Sequence, residues 1–470
     1  MATPTDDNLS GLQQTLRNRH IHMIALGGVI GAGLFVGSGV VVQSAGPAAV
    51  VSFALTGALV VLVMRMLGEM AVAFPGIGGF YEYSRLAMGE LAGFLTGWMY
   101  WYFWIIVVAL EAVAGARLLA YWYPDVTPWA CTLGLTALFM FVNLLSVRSW
   151  GETEFWFASI KVAAIVVFLA AGCAYVLGLW PDAGGGFANL THNGGFAPNG
   201  IGPVLTGAVA ATGFYFGAEL VTIAAAESSE PARAVARAAQ SVVSRVLLFY
   251  VGSIFLVVCI VPWNDVDAMS RPYVSALEVL GVPGAADLMN AVILTAVLSA
   301  LNSGVFGSSR MLMALARRGD APQVFARLDA RGVPVAAIIA GTVFGYVAVV
   351  MSYVSPDKVF AFLVNSYGTV AVFVYVLIAI SQLVLRRRLE REAPEKLQFR
   401  MWGYPYLTWI AIAAMACILT AMAFIPEQRI SLLFGVVSVG VLLVAYAVRR
   451  QPRRLAGLLP VEQAIDREAG

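Results

Sequence analysis

Four charged side chains lie inside stretches too apolar to solvate them: Glu111, Lys161, Glu219 and Glu227. A charge at the bilayer centre costs at least about 2.5–3.5 kcal/mol, so each is a functional candidate by default. Lys161, in EFWFASIKVAAIVVF, could replace a bound metal cation or exchange a proton once desolvated. It could equally extend its ammonium to a nearby membrane surface. Glu219, in GAELVTIAAAES, could take up a proton or hold irregular backbone through hydrogen bonds. Glu111, in IIVVALEAVAGA, could meet an amine, relay a proton or bond a neighbouring helix. Glu227 lies close to the end of its stretch and suits a helix-end or gate role.

Other chemistries find no support. His20, His22 and His192 lack ligand spacing. Cys131, Cys173, Cys259 and Cys417 form no CxxC pair and read as buried thiols, with neither a disulfide nor a metal implied. No phosphate-binding glycine loop is followed by GK[ST], and GAGLFVG lacks the preceding strand of a dinucleotide site. No nucleophile–base pair appears, so no enzyme and no cofactor are expected. The net charge of +2 leaves no nucleic-acid footprint.

The elements that must position these residues are membrane helices. Of 470 residues, 60% are hydrophobic and 12% charged, about half the charge of a soluble domain. A spanning helix needs roughly 20 apolar residues. Twelve such spans are expected, at 21–43, 48–73, 92–121, 127–147, 154–180, 201–226, 240–262, 285–315, 334–354, 358–384, 404–425 and 430–449. An even count puts both termini on one side. That side carries Arg17, Arg19, Arg85, Arg148, Arg233, Arg237, Arg317, Arg318, the run from Arg386 to Arg400 and the tail from Arg449. The other holds only Arg117, Arg271, Lys358 and Arg429. By the positive-inside rule both termini are cytoplasmic. A polar start followed by a long apolar span is not a cleaved signal peptide, so the first span is retained. Nothing in the sequence speaks to oligomeric state.

Two spans are expected to break. The first reads HMIALGGVIGAGLFVGSGV, with glycine at 27, 28, 31, 33, 37 and 39; each interior glycine costs about 1 kcal/mol relative to alanine. The sixth, TGFYFGAELVTIAAAES, has Gly213 and Gly217 beside Glu219. Backbone freed from a helix cannot face lipid and must line a protected cavity. The two breaks lie five spans apart, the pattern of an inverted-repeat transporter. Half-helix amino ends favour a carboxylate and freed carbonyls an ammonium, so a zwitterionic amino acid fits both. The glycines also fit close helix packing.

With GGVIGAGLFVGSG, SAGPAAV, MRMLGEMAV, GETEFWFASIKV, GAELVTIAAAES and LNSGVFGSSRMLMALARRGDAP, the chain resembles amino acid permeases of the amino acid–polyamine–organocation superfamily. The likeness runs from Arg19 to the end of the last span. It is strongest toward the GABA permeases, through YWYFWIIVVALEA, NGGFAPNGIGPVL and IVPWN. The resemblance implies an all-α, LeuT-like fold: a cytoplasmic segment 1–20, a five-helix repeat 21–180, an inverted five-helix repeat 201–384, two extra helices at 404–449 and a cytoplasmic tail 450–470. It implies import of a small amino acid such as GABA with protons, across the inner membrane and by alternating access. Its binding positions fall on Val29 or Ile30, Ala32 and Gly33 in span 1 and on Gly213, Phe214 and Phe216 in span 6; Glu111 stands beside them as a substrate-binding candidate from its own place in span 3. Its coupling position falls on Lys161, with Asn302 and Ser303 beside it, and Glu219 stays a proton-site candidate from its own burial beside the sixth-span break. Phe214, Tyr215 and Phe216 are candidates for gating. Ala32 departs from the family by replacing a hydroxyl residue, which removes a side-chain hydrogen bond to a carboxylate but keeps the backbone amide.

Overall fold

A computed structural model describes residues 23, 30–31, 33–74, 79–181, 186–225, 231–354 and 356–448. Val29, Ala32, Glu227, His20 and His22 lie outside the described residues. The described residues form helices and turns, with no strand among them. In chain order the α-helices are α1 (Ser38–Ala45), α2 (Ala49–Ala73), α3 (Phe80–Met88), α4 (Glu90–Leu119), α5 (Pro128–Leu145) and α6 (Val147–Val176). Then come α7 (Ile201–Ala211), α8 (Leu220–Ala225), α9 (Pro231–Arg245), α10 (Ser253–Ile260), α11 (Val266–Ser270) and α12 (Pro272–Val279). The last five are α13 (Ala285–Arg317), α14 (Val335–Val354), α15 (Pro356–Glu392), α16 (Tyr406–Phe424) and α17 (Pro426–Val448).

Ten stretches among the described residues are long and apolar enough to cross a membrane. The first of them, Gly33–Ala73, is 41 residues long and turns midway through a 3-10 turn at Gly46–Ala48, where Gly46 takes φ +67°. A shorter apolar stretch, Val335–Met351, lies in α14. Large apolar side chains cover much of the outer surface, such as Val40, Val167, Leu433 and Val444. Hydrocarbon, unlike water, imposes no cost on that exposure.

Local chemistry sets several ends. Pro128 opens α5, where a missing N–H costs nothing. Ser146 caps α6 by accepting the Ser149 N–H at 3.0 Å. That cap starts α6 well before residue 154, the expected start of the fifth span, and so carries Glu154 inside the helix. The thiol reading needs correction: Cys259 is buried, but Cys173 and Cys417 are exposed and Cys131 is half-buried. Their helix faces point outward from the bundle, where a small apolar side chain is tolerated.

The inner helices α4 and α13 pack along each other and hold the charged residues in place. In α16 and α17 only 22% and 11% of the apolar window is buried, against 72% of Thr369–Glu392 in α15. These two helices lie at the periphery of the bundle.

Candidate functional site

The stretch expected as span 6 leaves α-geometry where its glycines and aromatics fall. α7 ends at Ala211, a 3-10 turn runs over Thr212–Tyr215, Phe216 is extended (φ −69°, ψ 146°), and Gly217 takes φ +111°. α8 then resumes at Leu220. A side chain with a Cβ would be strained at Gly217. The freed backbone groups find partners: Phe214 O accepts from Tyr250 Oη at 2.8 Å, and Gly217 N–H donates to Glu219 Oε1 and Oε2 at 3.2 and 3.3 Å. The Glu219 carboxylate also accepts from Tyr375 Oη at 3.0 Å. The Tyr100 hydroxyl lies beside it without a formed hydrogen bond. Glu219 is fully buried and so caps its own break, the hydrogen-bonding alternative left open by the sequence.

The first apolar stretch meets this segment through its glycines. Ile30 is buried and non-helical, and Gly33 begins a π-helical turn to Gly37. A Cβ on Gly33 or Gly37 would come within 2.5 or 2.6 Å of the Phe214 ring. The bare faces of both glycines therefore receive that ring. Phe216 packs on the other side, with its centroid 4.5 Å from both Phe103 and Tyr375. Tyr215 stacks on Tyr250 at 4.1 Å and donates to Phe53 O at 2.8 Å.

A second cluster surrounds Lys161, which is 1% exposed. Its Nζ donates to Ser299 Oγ at 2.8 Å, and Ser299 Oγ donates to Glu154 Oε1 at 2.5 Å. Asn302 Nδ2 donates to Glu154 Oε2 at 3.4 Å, and Asn302 Oδ1 accepts from Asn143 Nδ2 at 3.2 Å. Trp150 Nε1 donates to Asn302 O at 3.3 Å. The buried lysine is thus balanced by a buried carboxylate through a serine, not extended to a surface. Glu111 lies within electrostatic range of Lys161, and its Oε2 meets no partner. The expected span 8 neighbours are corrected in part. Ser299, one turn earlier on the same face of α13, takes the ammonium. Asn302 serves Glu154, and Ser303 Oγ meets no hydrogen-bond partner.

Sequence reasoning passed over several buried charges, among them Glu154, Glu69 and Arg245. Glu154 stands seven residues before Lys161, two turns along one helix face; that spacing was the available signal. Glu69 accepts from Gln382 Nε2 at 2.6 Å and from Met401 N–H at 2.5 Å, and pairs with Arg386. Arg245 is 3% exposed at the end of α9; it falls inside the expected seventh span, 240–262, and that placement was the available signal.

The amino acid permease family model matches residues 20–456. The gamma-aminobutyric acid permease of Bacillus subtilis is 50% identical over 457 residues, 97% of each chain. That of Escherichia coli is 43% identical, covering 91% of this chain and 92% of its own. The aromatic amino acid transport protein AroP of Corynebacterium glutamicum is 39% identical, covering 88% of this chain and 90% of its own.

Proposed function

Since the chain belongs to the amino acid permease family, we propose that this multi-pass membrane protein imports GABA or a similar ω-amino acid by proton symport with alternating access. The observation that carries the reading is the interrupted, buried segment 212–219 pressed against glycines of the first apolar stretch. It provides unwound backbone inside the bundle of a chain whose relatives at 43–50% identity are GABA permeases.

The substrate carboxylate meets the amides of Ala32 and Gly33. The ammonium meets carbonyls at Val29 or Ile30, Gly213, Phe214 and Phe216. The Phe214 ring covers Gly33 and Gly37, so entry requires that ring to swing away, and it acts as the gate. Lys161, exchanging its proton through Ser299 and Glu154, couples the proton, with Glu111 within reach of its charge. Glu219 holds the break and is the weaker coupling candidate. One proton moving inward supplies about 2.3 kcal/mol per 100 mV, enough to concentrate a neutral zwitterion more than tenfold, at about 1.4 kcal/mol per decade.

The twelve-span topology is supported if Gly33–Ala73, which turns at Gly46, crosses twice and Val335–Met351 also crosses. Spans 1–5 and 6–10 then form the inverted repeats, with both termini in the cytoplasm and the chain in the inner membrane. The relative that transports aromatic amino acids favours a second reading, a permease for another amino acid. Labelled GABA uptake into proteoliposomes, driven by an imposed proton gradient and challenged with β-alanine, proline, phenylalanine and lysine, separates the two. GABA accumulation, dependent on the gradient and blocked best by β-alanine, is expected. Proline or phenylalanine uptake without GABA uptake selects the second reading. Equilibration without accumulation denies coupling, and binding without uptake would mark a sensor.

A further inference from the structure

Arg245 ends α9 where the helix widens into a π-helical turn, Val246–Gly252, a local irregularity that recurs at functional sites. Arg245 is 3% exposed. Nη2 donates to Ala238 O at 3.2 Å, while Nε and Nη1 meet no acceptor. A buried charge without a counter-charge among the described residues is costly and needs a reason.

Arg245 lines a cavity of about 10 Å³ with Ile30, Val60, Val242, Val246, Tyr215 and Tyr250. The hydroxyls of Tyr215 and Tyr250 donate elsewhere, to Phe53 O and Phe214 O, and the remaining five walls, Phe249 among them, are apolar. The donors left to the cavity are those of Arg245, so its chemistry seeks an anion. Its position is equally specific. Ile30 belongs to the non-helical part of the first apolar stretch, and Tyr250 holds the Phe214 carbonyl at the break. The cavity therefore adjoins both Ile30 and the break at 212–217, on the side where α9 carries Arg233 and Arg237.

We propose that Arg245 is a second station for the carboxylate of the transported amino acid, occupied after it leaves the breaks on its way to the α9 side. This rests on the transport reading above. The cavity has room for about one water, so the carboxylate enters as Ile30 and the two tyrosines part.

The test uses the full chain in oriented vesicles. Arg245→Gln is expected to raise KM for GABA about tenfold or more from the α9 face, the effect of removing one partner of a buried charge pair, with KM from the opposite face nearly unchanged. Arg245→Lys falls between. On the unmodified protein, butyrate, a carboxylate without an amine, should inhibit more strongly from the α9 face, and n-butylamine should show no such bias. This second measurement stands even if Arg245→Gln does not fold. Equal KM changes on both faces in a folded variant, or butyrate inhibition without sidedness, overturns the inference. So does loss of transport when chloride is replaced by methanesulfonate, which would mark an inorganic anion as the occupant. If the unmodified protein moves no amino acid, the transport reading falls, and this inference falls with it. Intact transport with no face-specific effect removes the inference alone.

Discussion

Glu154 and Lys161 show how a single buried charge acquires meaning from its partner. Either one alone in the bundle would be an uncompensated ion, and breaking such a pair typically costs about 3–5 kcal/mol. Lys161→Ala is expected to lower the thermal stability of the purified protein strongly and to abolish gradient-driven accumulation while leaving some exchange. Lys161→Ala with Glu154→Gln should recover part of the stability but not the accumulation. A double-mutant cycle on melting temperature and uptake checks both halves, and additive stability losses would deny the pairing. At Glu219 the carboxylate serves the Gly217 N–H and the Tyr375 hydroxyl. Glu219→Ala leaves both buried groups unpaired, at roughly 1–3 kcal/mol each. Glu219→Gln retains an acceptor oxygen and should melt closer to the unmodified protein in a thermal-shift assay.

At the scale of elements, the interrupted stretch depends on the conformation of one residue and the size of two others. Gly217 at φ +111° tolerates no side chain without strain, so Gly217→Ala is expected to destabilise by about 1–2 kcal/mol. It should also lower uptake, read in the same proteoliposomes. Gly33→Ala drives a methyl into the Phe214 ring. It should reduce transport, and trimming the ring with Phe214→Leu should restore part of it. No recovery in the double variant would show that the two elements do not meet during transport. The same packing explains why the glycines of the first stretch allowed two readings. They serve a close approach and a departure from helix together, and a string of glycine letters does not separate the two.

Across the whole molecule, polar ties at the helix ends join distant parts of the chain. Arg386 on α15 pairs with Glu69 on α2, and Glu69 also accepts the Met401 N–H, just before α16. Gln382 links Glu69 to Thr408 on α16, at 2.6 and 3.0 Å. Elsewhere Arg85 pairs with Asp320 at 2.5 Å, and Arg318 pairs with Glu82 at 2.9 Å. Arg386→Ala should cost about 3–5 kcal/mol by stranding Glu69. Limited proteolysis within 393–405 should quicken accordingly, and an unchanged cleavage rate would show that the segment is held by other contacts.

The amino-acid sequence alone determined that this chain crosses a membrane many times, where most helices lie, and where the sixth stretch yields. These are local properties: a run of apolar residues must find hydrocarbon, and glycine beside a buried carboxylate weakens a helix wherever it occurs. It also singled out Lys161 and Glu219 as charges within apolar stretches, because few such residues interrupt so apolar a background; the structure showed Lys161 to be buried. The tertiary structure decided the partners. Ser299 rather than Ser303 meets Lys161, Glu154 balances it from within α6, and Phe214 lies over Gly33 and Gly37. Arg245 faces a cavity instead of water. Each of these depends on the rotation of one helix against another over long separations in sequence. That rotation is set by the sum of many side-chain contacts, and no single motif records it.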